Sequence, residues 1–278
     1  MNLRAIILTL TAMYAFSTSA QTASDSITVT NAKWHVKKHR GVKTMHAQFS
    51  NLYGGPQDIY MIEVRLKRHS LKVQDHHGRE LTSLFSQKNG AKAAVNGTYF
   101  EMKPEGRSVC LMACDGRAMD FTGGPMDQLS NGALVTRGGH AKIIPWDVEQ
   151  ERILYPDSVA TGDLAHCDVM VCGPLMLQNG REVPLHSQSH VMENHPRSGI
   201  ALKGNHAYFI VVDGRAPSRA VGVSIPQFAH LLRILKMDSA LNLDGGGSST
   251  LWVPQEGILN TPSSQGQERS VSNSIMVK

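Results

Sequence analysis

The sequence predicts an α+β fold in a single domain, with a central, largely antiparallel or mixed sheet and a few packing helices. Three observations lead there. Short β-branched and aromatic runs bounded by Gly, Pro, Asn and Asp recur along the chain, as at residues 59–66 and 207–212. One segment, beginning at Ser224, carries a clear helical period. No low-complexity linker divides the chain, and its 278 residues suffice for one large core.

Residues 1–20 read as a signal peptide. Arg4 precedes an apolar run over residues 5–16, and small residues follow up to Ala20. Cleavage after Ala20 is expected, which exports the chain to the periplasm or beyond the cell. The run is shorter than the roughly 20 apolar residues of a membrane span, and no Cys follows it to carry a lipid. A stable membrane anchor is therefore not expected. The formal charge of +5 is spread without Lys/Arg blocks. That balance suits an anionic small molecule or polysaccharide, and equally an ordinary basic exported protein. A nucleic-acid partner is not expected, because no basic stripe is interleaved with aromatics.

The four cysteines fall as Cys110 with Cys114 and Cys167 with Cys172. In an exported chain disulfides are the default, with three connectivities open. The CxxC spacing of a four-cysteine zinc site is absent.

Residues 21–92 form a β-rich N-terminal portion, with strands expected at 27–29 and 59–66 and a helical turn or two over 81–87. Residues 93–100 form an apolar run reaching Asn96-Gly97, a pair that also fits a plain turn between two strands. Residues 172–180 read as a strand entering an Asn-Gly turn. Residues 184–196 are polar and hold His186, His190 and His195, as an exposed loop does; of these, His195 is kept as a site candidate because Arg197 follows closely. Strands are expected at 197–202 and 207–213. Ser224 then caps a helix with Pro226 in its first turn and Phe228, Leu231, Leu232 and Leu235 on one face, ending near Met237.

The stretch from Ala240 to Val253 is the least explicable by packing. Asn242 and Asp244 alternate with apolar residues, three glycines follow, and Ser248, Ser249 and Thr250 precede a second apolar run. Three consecutive glycines suit a backbone that offers N–H groups to a close ligand. Asp213 and Asp244 each end an apolar strand and are each followed by glycine. If those strands share a sheet and a direction, the two carboxylates share a rim. Paired carboxylates serve acid/base or nucleophilic cleavage of a glycosidic bond, and serve equally as hard ligands for Ca²⁺ or Mg²⁺. Two Asp-Gly turns of purely structural origin give the same spacing. Around them, Arg197, Arg215, the Gly245–Gly247 backbone and the following hydroxyls resemble an anion cradle. No Lys follows the glycines, so this is not a nucleotide P-loop.

In combination, Asn96-Gly97-Thr98-Tyr99-Phe100, Gly173-Pro174 with Asn179-Gly180, His195-Pro196-Arg197-Ser198-Gly199-Ile200, Val212-Asp213-Gly214-Arg215 and Asn242-Leu243-Asp244-Gly245-Gly246-Gly247-Ser248-Ser249-Thr250 resemble the phosphodiester glycosidase family. The resemblance covers residues 93–278 and includes Arg269-Ser270-Val271-Ser272-Asn273. Thr98 stands where the family commonly has glycine, and Arg-Ser-Gly-Ile-Ala replaces its Arg-Thr-Ala-Ile-Gly pattern. The resemblance implies a hydrolase that cleaves a sugar-1-phosphodiester to a free sugar and a phosphomonoester. Residue chemistry fits the same reaction: Asp213 and Asp244 are the candidates for acid/base or nucleophilic work, and Arg197, Arg215 and the backbone of Gly245, Gly246, Ser248 and Ser249 for the phosphate. Asn96 and Asn242 are assigned to sugar hydroxyls or to orienting a carboxylate. No cofactor follows with certainty, and a bound divalent cation is the alternative to part of the basic cradle. A metal-dependent phosphodiesterase and a non-catalytic binding module for anionic envelope polysaccharide are the other two readings of the same residues.

Overall fold

The computed structural model describes residues 23–119, 121–123, 130–185 and 189–278. The expected signal peptide and His186 lie outside the described residues. After helix α1 (residues 23–30) come β1 (His35–Lys38), β2 (Val42–Leu52), β3 (Gly55–Arg65), β4 (Leu71–Leu81), α2 (Thr82–Lys88) and β5 (Ala93–Asn96). A middle section holds β6 (Met112–Cys114), β7 (Arg117–Ala118), β8 (Gly132–Arg137), β9 (His140–Pro145), α3 (Glu151–Leu154) and β10 (Asp168–Cys172). Then follow β11 (Leu175–Gln178), β12 (Arg181–Glu182), α4 (Ser189–Met192), β13 (Arg197–Lys203), β14 (His206–Val212), α5 (Ile225–Ile234) and β15 (Ser239–Asn242). The chain closes with β16 (Leu251–Val253), β17 (Gly257–Ile258) and β18 (Ser270–Val277). No helix among the described residues is long and apolar enough to cross a membrane.

The α+β class holds, with three sheets in place of one central sheet. An eight-stranded sheet runs β1-β2-β3-β14-β13-β15-β11-β12, and two five-stranded sheets run β7-β6-β10-β8-β9 and β17-β16-β5-β18-β4. Every described strand pair is antiparallel. Alternation along β14 explains the architecture, because successive side chains leave opposite faces of a strand. Phe209 and Val211 enter a core with Val73, Val95, Met170 and Ile275. Ile210 and Val212 enter a second core with Phe228, Leu231 and Leu232 of α5. The large sheet is therefore covered on both sides, which is why residues 207–212 are continuously apolar.

Helix α5 begins as its sequence predicts. Ser224 Oγ accepts from Gln227 N at 3.3 Å, and Gln227 Oε1 accepts from Ser224 N at 2.9 Å, a full capping box. The helix stops before Met237 because Lys236 takes φ 59°. Lys236 N then donates to Arg233 O and Met237 N to Leu232 O, closing the end in a Schellman motif. Full burial of Phe228, Leu231 and Leu232 contributes about 1.5–3 kcal/mol each.

Two expectations need correction. Ile27-Thr28-Val29, read as a strand, lies in α1, where Val29 joins the core while Ile27 is exposed. Asp25 Oδ1 accepts from Tyr53 N and ties α1 to the β2–β3 turn, so tertiary contact overrides β propensity. No disulfide joins the four cysteines either. Cys172 ends extended β10 and Cys167 directly precedes its first residue, about 16 Å away by strand rise, beyond any bridge. Cys114 Sγ donates to Val73 O and Cys167 Sγ to Asp163 O.

Candidate active site

Strands β14 and β15 both run antiparallel to β13, so they point the same way two strands apart. Asp213 follows the end of β14, and Asp244 lies just past the end of β15. Arg197, paired with Val212, opens β13 between them. The expected common rim is present.

The glycine turn is built on that rim. Leu243 N donates to Ser198 O, Asp244 N to Gly97 O and Gly246 N to Pro196 O, at 2.8–3.0 Å. A single 3₁₀ turn spans Gly246–Ser248. The glycines answer to different neighbours. A Cβ on Gly245 would lie 2.7 Å from the Pro196 carbonyl oxygen. Gly246 has φ +59° and lies under Arg215, whose Nη2 would be 3.1 Å from a Cβ. Gly247 lies under Arg269, whose Nη2 would be 2.2 Å from one. Two guanidinium groups thus cover the turn, one exposed (Arg215) and one partly buried (Arg269).

Asp244 is a part-buried residue of this cluster. Burial pushes it up to about 6, against the opposing pull of Ser248, of the Arg269 charge and of the Gly245 N–H. A carboxyl group in that range exchanges a proton near neutral pH. His195 sits on the same rim. Burial, with Arg197 and Arg215 beside it, holds its imidazole below the ordinary range.

Asp213 has different surroundings. It is 1% exposed, and its Oδ2 accepts from Arg219 Nη1 at 2.7 Å and Thr261 N at 3.0 Å. Its Oδ1 accepts from Asn260 Nδ2 at 3.2 Å. Asn260 Nδ2 also donates to Ser249 O, so one amide joins Asp213 to the tail of the glycine turn. Burial raises the Asp213 carboxyl, and Arg219 draws it back. The oxygens of Asp213 are engaged by N–H donors, and Asp244 lies within reach of the Arg269 charge. Among the described residues no group of three or more His, Cys, Asp or Glu gathers to hold a metal ion.

Three interior candidates make bonds to the frame: Asn96 and Asn242, expected to meet sugar hydroxyls or to orient a carboxylate, and Arg197, expected at the phosphate. Asn96, 1% exposed, accepts from Ser198 Oγ and Thr250 N through Oδ1 and donates to Asp244 O through Nδ2 at 2.6 Å. It orients the Asp244 segment from beneath. Asn242 Nδ2 donates to Gly173 O, Leu243 O and Tyr99 Oη. Arg197 donates through Nε to Val223 O and through Nη2 to His190 O and Glu193 O. Ser248 and Ser249 are likewise buried under the turn, whereas Gly245, Gly246 and Arg215 face outward in part.

Sequence reasoning missed Arg219 and Asn260, which hold Asp213, and Tyr99, whose hydroxyl bonds Gly173 O and Asn242. It also gave Arg269 no role. The signal for it in the sequence was its place in the Arg269-Ser270-Val271-Ser272-Asn273 stretch.

Comparison with curated proteins finds no match. Among solved structures, the catalytic domain of zebrafish N-acetylglucosamine-1-phosphodiester alpha-N-acetylglucosaminidase, auto-inhibited by its pro-peptide, superposes with a TM-score of 0.67 at 16% identity, covering 88% of this chain and 87% of that one. A Synechocystis protein gives 0.62 at 17% identity over 88% of this chain and 63% of its own. A Burkholderia pseudomallei protein gives 0.59 at 15% identity over 82% and 75%. These likenesses concern the fold. The sequence itself matches the phosphodiester glycosidase family over residues 89–278, the span that contains Asn96, Asp244 and both arginines over the glycine turn, and the chain belongs to that family.

Proposed function

We propose that the chain is an exported hydrolase that cleaves a sugar-1-phosphodiester at the sugar C–O bond, releasing a free sugar and a phosphomonoester. The observation that carries this reading is the pairing of Asp244, raised to about 6, with a glycine turn under the Arg215 and Arg269 guanidinium groups. Family membership supports the substrate class, and the first 20 residues support export.

The chemistry follows from the leaving group. An alkoxide leaves an ordinary glycoside poorly and needs a proton donor. A phosphate monoester leaves as a stable anion, so cationic stabilisation substitutes for protonation. In this reading Arg215, Arg269 and the outward-facing Gly245 and Gly246 backbone hold the phosphate. Asp244 acts as the base: it takes a proton from water as the water oxygen bonds to the anomeric carbon and the carbon–oxygen bond to phosphate breaks. Asp213, with Arg219, Asn260 and Thr261, positions the turn instead of reacting.

Hydrolysis of a sugar-1-phosphodiester panel in ¹⁸O-labelled water tests the bond assignment. Label in the free sugar is expected. Label confined to phosphate, with release of a sugar 1-phosphate, would make the chain a phosphodiesterase, and binding without turnover across the panel would make it a binding module.

A further inference from the structure

We infer that a second anion site, for a ligand carrying two or more phosphate groups, lies at the opposite end of the large sheet from Asp244. There the β1–β2 turn, the end of β3 and the start of β14 surround a cavity of about 590 Å³, within the size range of small-ligand sites. β14 runs from His206 at this cavity toward Asp213 at the other rim, a span of about 23 Å by strand rise. The two sites are therefore separate.

The wall of the cavity is cationic beyond what its own acid neutralises. Lys38, Arg40, Arg65 and Arg68 line it and form no ion pair among the described residues. The one carboxylate in the lining, Glu63, already accepts from Lys43 Nζ at 2.6 Å and faces His206 Nε2 at 3.9 Å. The turn that carries Lys38 and Arg40 is anchored from both sides. Gly41 has φ +103°, and a Cβ there would lie 2.6 Å from His69 Nε2, so the turn rests directly on that ring. His39 Nε2 is held by Glu256 Oε1 at 2.7 Å and by Thr44 Oγ1 at 3.2 Å.

Gathering uncompensated like charges around one cavity costs free energy, and an anion of matching charge recovers it. One phosphodiester, with a single charge, leaves most of this set unmatched. An oligophosphate, or two neighbouring diesters of one polymer, matches four cations, and the guanidinium forks of Arg40, Arg65 and Arg68 suit paired phosphate oxygens. The backbone that carries Lys38 and Arg40 is anchored before the ligand arrives, so the ordering that opposes binding falls on the exposed side chains. The inference stands whether or not the hydrolytic reading of the Asp244 rim is correct.

Calorimetric titration of the full chain with sodium tripolyphosphate, and separately with a phosphodiester-linked glycan polymer, tests it. One saturable site per chain is expected in addition to binding at the Asp244 rim, and it is the site that persists in Arg215→Gln. Its affinity should fall as salt rises, drop at least about tenfold in Arg65→Gln/Arg68→Gln, and stay within about twofold in Arg215→Gln, since that residue lies on the other rim. Arg40→Gln provides an independent check from the β1–β2 turn, and unchanged melting temperatures certify each variant. Tighter binding of the polymer identifies adjacent diesters as the natural source, and tighter binding of tripolyphosphate identifies a free oligophosphate. Absence of saturable binding by both at low salt overturns the inference. So does binding that is lost in Arg215→Gln and intact in the Arg65→Gln/Arg68→Gln variant.

Discussion

Asp244 is where proton chemistry and stability meet. As a base it must be ionised, so kcat/KM should rise with pH through about 6 and level off above. Asp244→Asn should lower kcat/KM by about 10²–10⁴-fold and erase that limb. An acid role predicts the opposite limb, which a pH–rate profile separates at once. The linkage has a definite sign. The folded-state pKa is raised above the reference value of 3.8, so the folded protein holds the proton more tightly, and stability declines as pH rises from about 4 to about 6. Asp244→Asn should therefore gain thermal stability relative to the parent at pH 8, and less so at pH 4. Arg269 is separable from Arg215 by the same profile. Its charge lowers the Asp244 pKa, so Arg269→Gln should move the limb to higher pH, whereas Arg215→Gln should weaken substrate binding and leave the limb in place.

At the scale of elements, the glycine turn divides one steric demand between two kinds of neighbour. A methyl on Gly247 meets the end of the flexible Arg269 side chain, while a methyl on Gly245 meets the Pro196 carbonyl, which is backbone. Gly247→Ala should thus displace a guanidinium, lowering activity at least about tenfold with little change in chemical denaturation midpoint. Gly245→Ala should cost about 1–3 kcal/mol of stability through overpacking. Equal midpoints for the two variants would refute the distinction. The strand–turn pattern around Asp244 was legible in the sequence because Asp-Gly-Gly-Gly interrupts an apolar run. Helix α5 was legible for the same local reason, a cap followed by a 3.6-residue period. Ile27-Thr28-Val29 was not, because its helix is decided by Val29 packing and by Asp25 reaching Tyr53. Asn96-Gly97 was ambiguous locally. Its meaning depends on Asp244, Ser198 and Thr250, each about a hundred residues or more away in the chain.

Across the whole molecule, the rim is held by an acid–base chain that no short motif discloses. Arg219 Nη1 donates to Asp213 Oδ2 at 2.7 Å and to Asp58 Oδ2, and Asp58 Oδ1 is met by His46 Nε2 at 2.5 Å. Through Asn260 and Thr261 the chain continues to the C-terminal portion, so β2 and β3 near the N-terminus are fastened to the glycine turn. Both Asp58 and Asp213 are 1% exposed. Truncating Arg219 leaves two buried carboxylates without their shared cation, and breaking such a buried pairing costs about 3–5 kcal/mol. Arg219→Ala should lose that much in chemical denaturation at neutral pH. Losing the cation that draws the Asp213 pKa down raises it further above its unfolded value. The deficit should then shrink as pH is lowered and Asp213 takes up a proton, and grow as pH rises. Asp213→Asn placed in the Arg219→Ala background removes one of the stranded charges and should restore part of the stability while leaving the dependence on Asp244 intact. A denaturation midpoint for Arg219→Ala equal to the parent's at pH 7 would mean that the chain from Asp58 to Asp213 does not fasten the rim, and the task of positioning Asp244 would then fall to Asn96.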